Sequence, residues 1–150
     1  MRYNILFIVI LIISIFSCKK ESGKTPILKP NTEEISLLDT LSLRLNSGEK
    51  WIVNNETHVG VSKMDSIITA HKTNKEDNYI NLGNNLSKQT SFIIKSCNMT
   101  GEAHDQLHVI LVPMLDEISI LKESNKLEES KSAFIKLEEL IDTCFEYFKV

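Results

Sequence analysis

Four segments whose apolar residues recur with the period of an α-helix occupy most of the sequence from Asn54 to the C-terminus. In each segment apolar side chains return every three or four residues, which is typical of a helix that buries one face. Short polar links separate the segments, and short links make neighbouring helices antiparallel. The pattern predicts a mainly α protein, an up-down-up-down four-helix bundle.

Helix-capping residues predict where these helices begin. The first helix is expected to start after Asn54 and Asn55 and to end near His71. Thr73, Thr100 and Asn125 are the expected caps of the second, third and fourth helices, because short polar side chains accept hydrogen bonds from the first free N–H groups of a helix.

A glycine and a proline lie inside two of the predicted helices. Gly83 costs about 1 kcal/mol of helix propensity relative to alanine, and it permits close packing of a neighbouring helix. Pro113 removes one backbone donor, so the third helix is expected to bend or split there.

A short N-terminal β-hairpin is predicted ahead of the helices. Leucines at 41, 43 and 45 alternate with polar residues, a turn-forming sequence follows at 46–49, and Trp51 begins a second β-prone run. An isolated hairpin is only marginally stable in water. We therefore expect it to pack on the helices with Trp51 as its apolar anchor.

The first residues have the pattern of an export signal rather than of a folded element. A single early charge at Arg2 precedes the apolar run 5–16, and Cys18 follows directly after Ser17. A cysteine at this place resembles the bacterial lipoprotein leader. Residues 1–17 are predicted to be a lipoprotein signal peptide and 18–33 a lipidated Cys18 with a flexible tether, followed by the bundle domain with its hairpin at 34–150. An uncleaved anchor or a plain secretory signal is the alternative.

Lipidation at Cys18 would make the membrane a partner of the protein through an anchor that does not span it. The resemblance to lipoprotein sorting signals, with Lys19 and Lys20 after the cysteine, implies an outer-membrane place in the cell envelope, on the periplasmic or the surface side. The net charge of −3 and the mixing of acidic with basic residues predict no nucleic-acid partner. No protein partner can be named from the sequence.

Soft and borderline metal ligands are concentrated around the turn between the second and third helices. Cys97, Met99, His104 and His108 lie within twelve residues, and the two histidines are four apart, so both leave the same helical face. An antiparallel bundle brings this turn to the same end as the start of the first helix, with Met64 about two turns further in. These five residues are the predicted metal ligands.

The donor types favour copper, because thioether sulfur suits Cu(I) and is uncommon at zinc. Zinc is the less favoured ion. Several structural explanations stay open: Cys97 and Cys144 could form a disulfide in an exported protein, the histidines could be ordinary helix-end residues, and Met64 could fill the core.

The sequence predicts a protein that is not an enzyme. The His104–His108 segment lacks the glutamate that follows the first histidine in the HExxH motif of zinc peptidases. No glycine-rich phosphate loop and no oxyanion motif accompanies Cys97. The alternative to metal binding is a structural or partner-binding envelope lipoprotein without a metal.

The segment from Cys97 to His108, with Trp51 and Met64 upstream, resembles a pattern in small, uncharacterised bacterial envelope lipoproteins. That resemblance implies a lipobox, a short hairpin and a helical-bundle domain. It bears on the architecture more than on the function, because no activity is assigned to such proteins.

Overall fold

The computed structural model describes residues 42–150. The predicted signal peptide, the lipidation site at Cys18, the tether and the first residues of the predicted domain lie outside the described residues. The elements, in chain order, are β1 (Trp51–Ile52), α1 (Asn55–Asn74), α2 (Tyr79–Ser96), α3 (Glu102–Glu123), α4 (Leu127–Tyr147) and β2 (Phe148–Lys149).

The four helices pack as the predicted up-down-up-down bundle. Each helix packs against the next along the chain, and α4 returns to α1 to close the ring. Two contacts illustrate how α1 is joined to its neighbours in this ring. The Asn54 side chain at the start of α1 donates to the Ser96 carbonyl at the end of α2, and Lys72 near the end of α1 pairs with Glu138 in α4. The mainly α bundle is confirmed.

The core lies along the inner faces of all four helices. Burial of these apolar side chains is the main favourable term that holds the bundle together. Its most deeply buried apolar members are Met64 from α1, Leu86 and Ile93 from α2, Ile110 and Leu121 from α3, and Leu137 and Leu140 from α4. Within the described helices, none is both long and apolar enough to cross a membrane.

The short β element differs from the predicted hairpin. The predicted turn is present, since Asn46 and Glu49 form an antiparallel bridge. However, Trp51 pairs with Phe148 and Ile52 with Lys149, and this pairing is parallel. The alternating pattern identified strand-forming residues, but it could not reveal a partner almost a hundred residues away. The element is a two-stranded parallel sheet that joins the two ends of the described chain.

Trp51 has the anchoring role that the sequence predicted. Its indole is buried at 6% exposure within the hydrophobic core, and its Nε1 donates to the Arg44 carbonyl at 2.6 Å. The Arg44 N–H in turn donates to the Gln106 side chain at 2.8 Å. These two hydrogen bonds therefore connect the segment before β1 to the start of α3.

The helix starts match the predicted caps in one case out of four. Asn54 caps α1 and accepts from the N–H of Thr57. Thr73 is not a cap, because α1 continues past it and ends at Lys75, whose φ of 52° is left-handed. Asn78 caps α2 instead, and α3 and α4 start after Gly101 and Lys126 without a side-chain cap.

α3 runs unbroken through Pro113, so the helix does not split there.

Gly83 lies where α2 packs closely against α3. A Cβ added at Gly83 would stand 2.9 Å from the Leu121 Cβ and 3.1 Å from the Lys122 backbone nitrogen. Backbone atoms cannot rotate away as a side-chain tip can. The α2–α3 contact therefore depends on the absence of a side chain at this position.

Replacing Gly83 by alanine should lower the free energy of unfolding by about 1–2 kcal/mol, since the cost of overpacking exceeds the gain in helix propensity. Urea unfolding followed by circular dichroism measures the change. Asn84→Ala, at the next and exposed position, is the control and should be neutral or slightly stabilising. A Gly83→Ala protein as stable as the wild type would contradict the close approach.

Candidate metal site

The first two turns of α3 place two imidazoles side by side. α3 begins after Gly101, whose φ of 69° is readily adopted only by glycine, and the N–H of His104 donates to the Gly101 carbonyl at 3.0 Å. His104 and His108 then leave the same face, with ring centroids 4.3 Å apart. His104 is half-buried and His108 is exposed. Such a pair can chelate one ion that is reached from solvent.

Charged side chains surround this pair on the helix. Glu102 and Asp105 lie in the first turn of α3, where the helix dipole disfavours a bound cation. The two carboxylates offset that effect, although Glu102 also forms an ion pair with Arg44. Asp105 is exposed, and it lies three residues before His108. The local charge therefore permits a cation near the imidazoles.

The predicted sulfur ligands of the α2–α3 connection lie close to this pair along the chain. Cys97 is the residue at which α2 ends, and Met99 follows in the link. Both are partly buried and pack against the hydrophobic core. Neither is sealed from solvent.

Met64 lies deeper than the other predicted ligands. It is fully buried, at 0% exposure, within the core cluster, whereas His108 is exposed. The structure therefore places Met64 in the hydrophobic core, where its side chain contributes to packing.

The two described cysteines are separate free thiols, so the disulfide left open by the sequence is not formed in this structure. Burial raises the pKa of the Cys144 thiol to about 12, so it stays protonated at neutral pH. A thiolate is the form that binds metals and attacks disulfides. Cys144 is therefore a protonated thiol that packs in the hydrophobic core.

The imidazole pair by itself provides only two metal ligands. Within residues 42–150, no group of three or more His, Cys, Asp or Glu side chains is arranged to hold a metal ion. Two imidazoles supply two of the four ligands that zinc prefers. Copper(II) binds imidazole more tightly than zinc does, so a two-histidine chelate suits copper better.

A second histidine environment, which the sequence analysis did not single out as a site, lies where α1 ends. His71 is buried at 6% exposure, its Nδ1 lies 3.7 Å from Glu76 Oε2, and its Nε2 has no hydrogen-bond partner. The rings of Tyr79 and Phe134 pack against it. Its position at the end of the first predicted helix, with a carboxylate five residues later, was the available signal.

A groove of about 700 Å³ lies at the end of the bundle opposite the imidazole pair. The α1–α2 and α3–α4 links form it, including 77–80 and 124–127. Ile80 and Leu127 are each about half exposed there. This groove is open to solvent and combines apolar with polar side chains.

Comparison with known proteins identifies no relative of this chain. No protein-family model matches the chain, and no curated protein or solved structure is significantly similar to it.

Proposed function

We propose that this protein is a lipid-anchored protein of the cell envelope that binds copper through His104 and His108 and is not an enzyme. The observation that carries the proposal is the 4.3 Å separation of the two ring centroids on one helical face. Neutral imidazole nitrogen is a strong donor to copper(II). Zinc is the weaker alternative at the same pair.

The proposed role is to buffer or hand on copper rather than to keep it permanently. A two-imidazole chelate near the surface leaves coordination positions for water or for a partner's ligand. Cys97 and Met99 would add sulfur when copper is reduced, because thiolate and thioether prefer Cu(I). The lipid anchor at Cys18 would hold this exchange at a membrane surface.

Copper(II) titration of the full-length protein in mild detergent tests the imidazole pair. The wild type should bind one equivalent at this pair, and His104→Ala/His108→Ala should weaken that binding at least tenfold, since even loss of a group that only orients a ligand costs about 10–100-fold. His58→Ala is the control, because His58 lies at the same end of the bundle but in α1. Unchanged binding by the double variant would rule out the pair.

The sulfur donors are tested separately with copper(I). Cys97→Ser combined with Met99→Leu should weaken copper(I) binding and leave copper(II) binding unchanged, since sulfur prefers the reduced ion. The measurement is competition with a coloured copper(I) chelator. Equal copper(I) affinities would remove both sulfurs from the site and leave only the imidazoles.

The second candidate function is that of a structural or partner-binding envelope protein without a metal. The groove at the opposite end of the bundle favours it, because Ile80 and Leu127 expose apolar surface beside polar link residues. A photo-crosslinking residue at Leu127 should then form an adduct in cells. One at Ile135, which is similarly exposed on α4, is the control. Equal labelling at both positions would contradict a specific partner.

A further inference from the structure

A cavity of about 230 Å³ lies between the end of α1 and the first half of α2. Its polar lining comes from four side chains: His71, Glu76, Asn81 and Asn85. Ile67 is part of its apolar wall. Glu76 is the only acidic residue in this lining and no lysine or arginine lines it, so a positively charged occupant would meet one carboxylate.

The two donors that face each other in this cavity are held by the fold. Lys75 ends α1 in a left-handed conformation, and the N–H of Glu76 donates to the His71 carbonyl at 3.2 Å. This turn brings the Glu76 carboxylate back over the imidazole. Asn74 donates to the other carboxylate oxygen at 3.3 Å, which leaves Oε2 directed at His71 Nδ1.

The spacing of these two donors is close to that of two ligands of one metal ion. Two atoms bound to one zinc ion at about 2.1 Å, at tetrahedral to trigonal angles, lie about 3.4–3.6 Å apart. His71 Nδ1 and Glu76 Oε2 lie 3.7 Å apart, so both can bind one small metal ion with little movement.

We propose that this cavity is a second metal site, in which His71 Nδ1 and Glu76 Oε2 bind a divalent ion of the zinc class. Water completes the coordination and donates to the side-chain amide oxygens of Asn81 and Asn85, which line the cavity. Lys88 also donates to the Asn85 amide oxygen at 3.3 Å, and the second lone pair of that oxygen is free to accept from the water. The proposal does not depend on the His104–His108 pair, which lies at the other end of the bundle.

The unpartnered Nε2 of His71 fits this assignment. Metal binding at Nδ1 fixes the tautomer that carries the hydrogen on Nε2. Tyr79 and Phe134 pack on the imidazole at centroid distances of 5.2 and 5.5 Å, which holds the ring in its buried position.

Zinc titration by calorimetry of the full-length protein in mild detergent tests the proposal. Glu76→Gln keeps the shape of the side chain and removes its charge, and Glu76 is 46% exposed, so the variant should fold. Asp77→Asn removes the same charge from the next residue, which does not line the cavity. Glu76→Gln should weaken zinc binding about tenfold or more, and Asp77→Asn should bind like the wild type.

Imidazole nitrogen chemical shifts provide an independent readout. Zinc should shift the Nδ1 resonance of His71 and leave Nε2 with the pattern of a protonated nitrogen. The His104→Ala/His108→Ala protein should retain both the shift and this equivalent of zinc, so failure at one site is distinguishable from failure at the other. Equal zinc affinities of Glu76→Gln and Asp77→Asn, whether both unchanged or both reduced, would overturn the proposal.

Discussion

Replacing Trp51 by alanine should lower the free energy of unfolding by about 3–5 kcal/mol, the range for a large buried aromatic side chain. The loss has two parts. A side chain at 6% exposure leaves a cavity in the core, and the Arg44 carbonyl loses the donor that stood 2.6 Å away. Because Trp51 is the only tryptophan, urea unfolding must be followed by far-ultraviolet circular dichroism and not by fluorescence.

Trp51→Phe separates the two parts of this effect. It keeps most of the apolar volume and removes the hydrogen bond, so it should cost about 1–3 kcal/mol, the range for a buried group left without its partner. A fully stable Trp51→Ala protein would contradict the anchoring role. It would instead suit an indole that packs against a ligand.

Replacing Met64 by alanine should lower the free energy of unfolding by about 2–5 kcal/mol. Met64 is fully buried in the core, and the surrounding helices can fill the vacated volume only in part. Thermal and urea unfolding measure the loss. The prediction follows from packing alone and holds with or without a bound metal.

Met64→Leu is the matched control, and it also tests whether Met64 is a ligand. Leucine has similar volume, so this change should cost less than about 1.5 kcal/mol while it removes the thioether. Copper(I) and copper(II) affinities should equal those of the wild type. A weaker copper(I) affinity in this stable variant would return Met64 to the ligand set.

The bundle was predictable because it is determined by residues that lie close together in the sequence. Apolar residues at helical spacing determine which face of each helix is buried, and short links determine that neighbours run antiparallel. The cap of α2 was missed for a physical reason: Thr73 has a capping side chain, but the apolar stripe extends to His71, and α1 continues until Lys75 turns left-handed. Burial of that stripe outweighed the local preference at Thr73.

The candidate site was predictable only in part. The spacing of four residues placed His104 and His108 together, since helical geometry relates such residues directly. The spacing of residues along a helix does not show how deeply each side chain is buried. The full burial of Met64 and the raised pKa of Cys144 could therefore be seen only in the structure. The approach of Glu76 to His71 was also hidden, because it depends on one backbone angle in a link.

The pairing of β1 with β2 has a consequence for the order in which the protein assembles. Each helix can dock on a neighbour that is close along the chain, but Trp51 and Val53 pair with 148–149, almost a hundred residues later. Closing a loop of that length costs more entropy than joining two adjacent helices, so we expect these contacts to form late. A chain shortened by even three residues would lack the partner strand, and its first strand would present unpaired backbone groups to other chains.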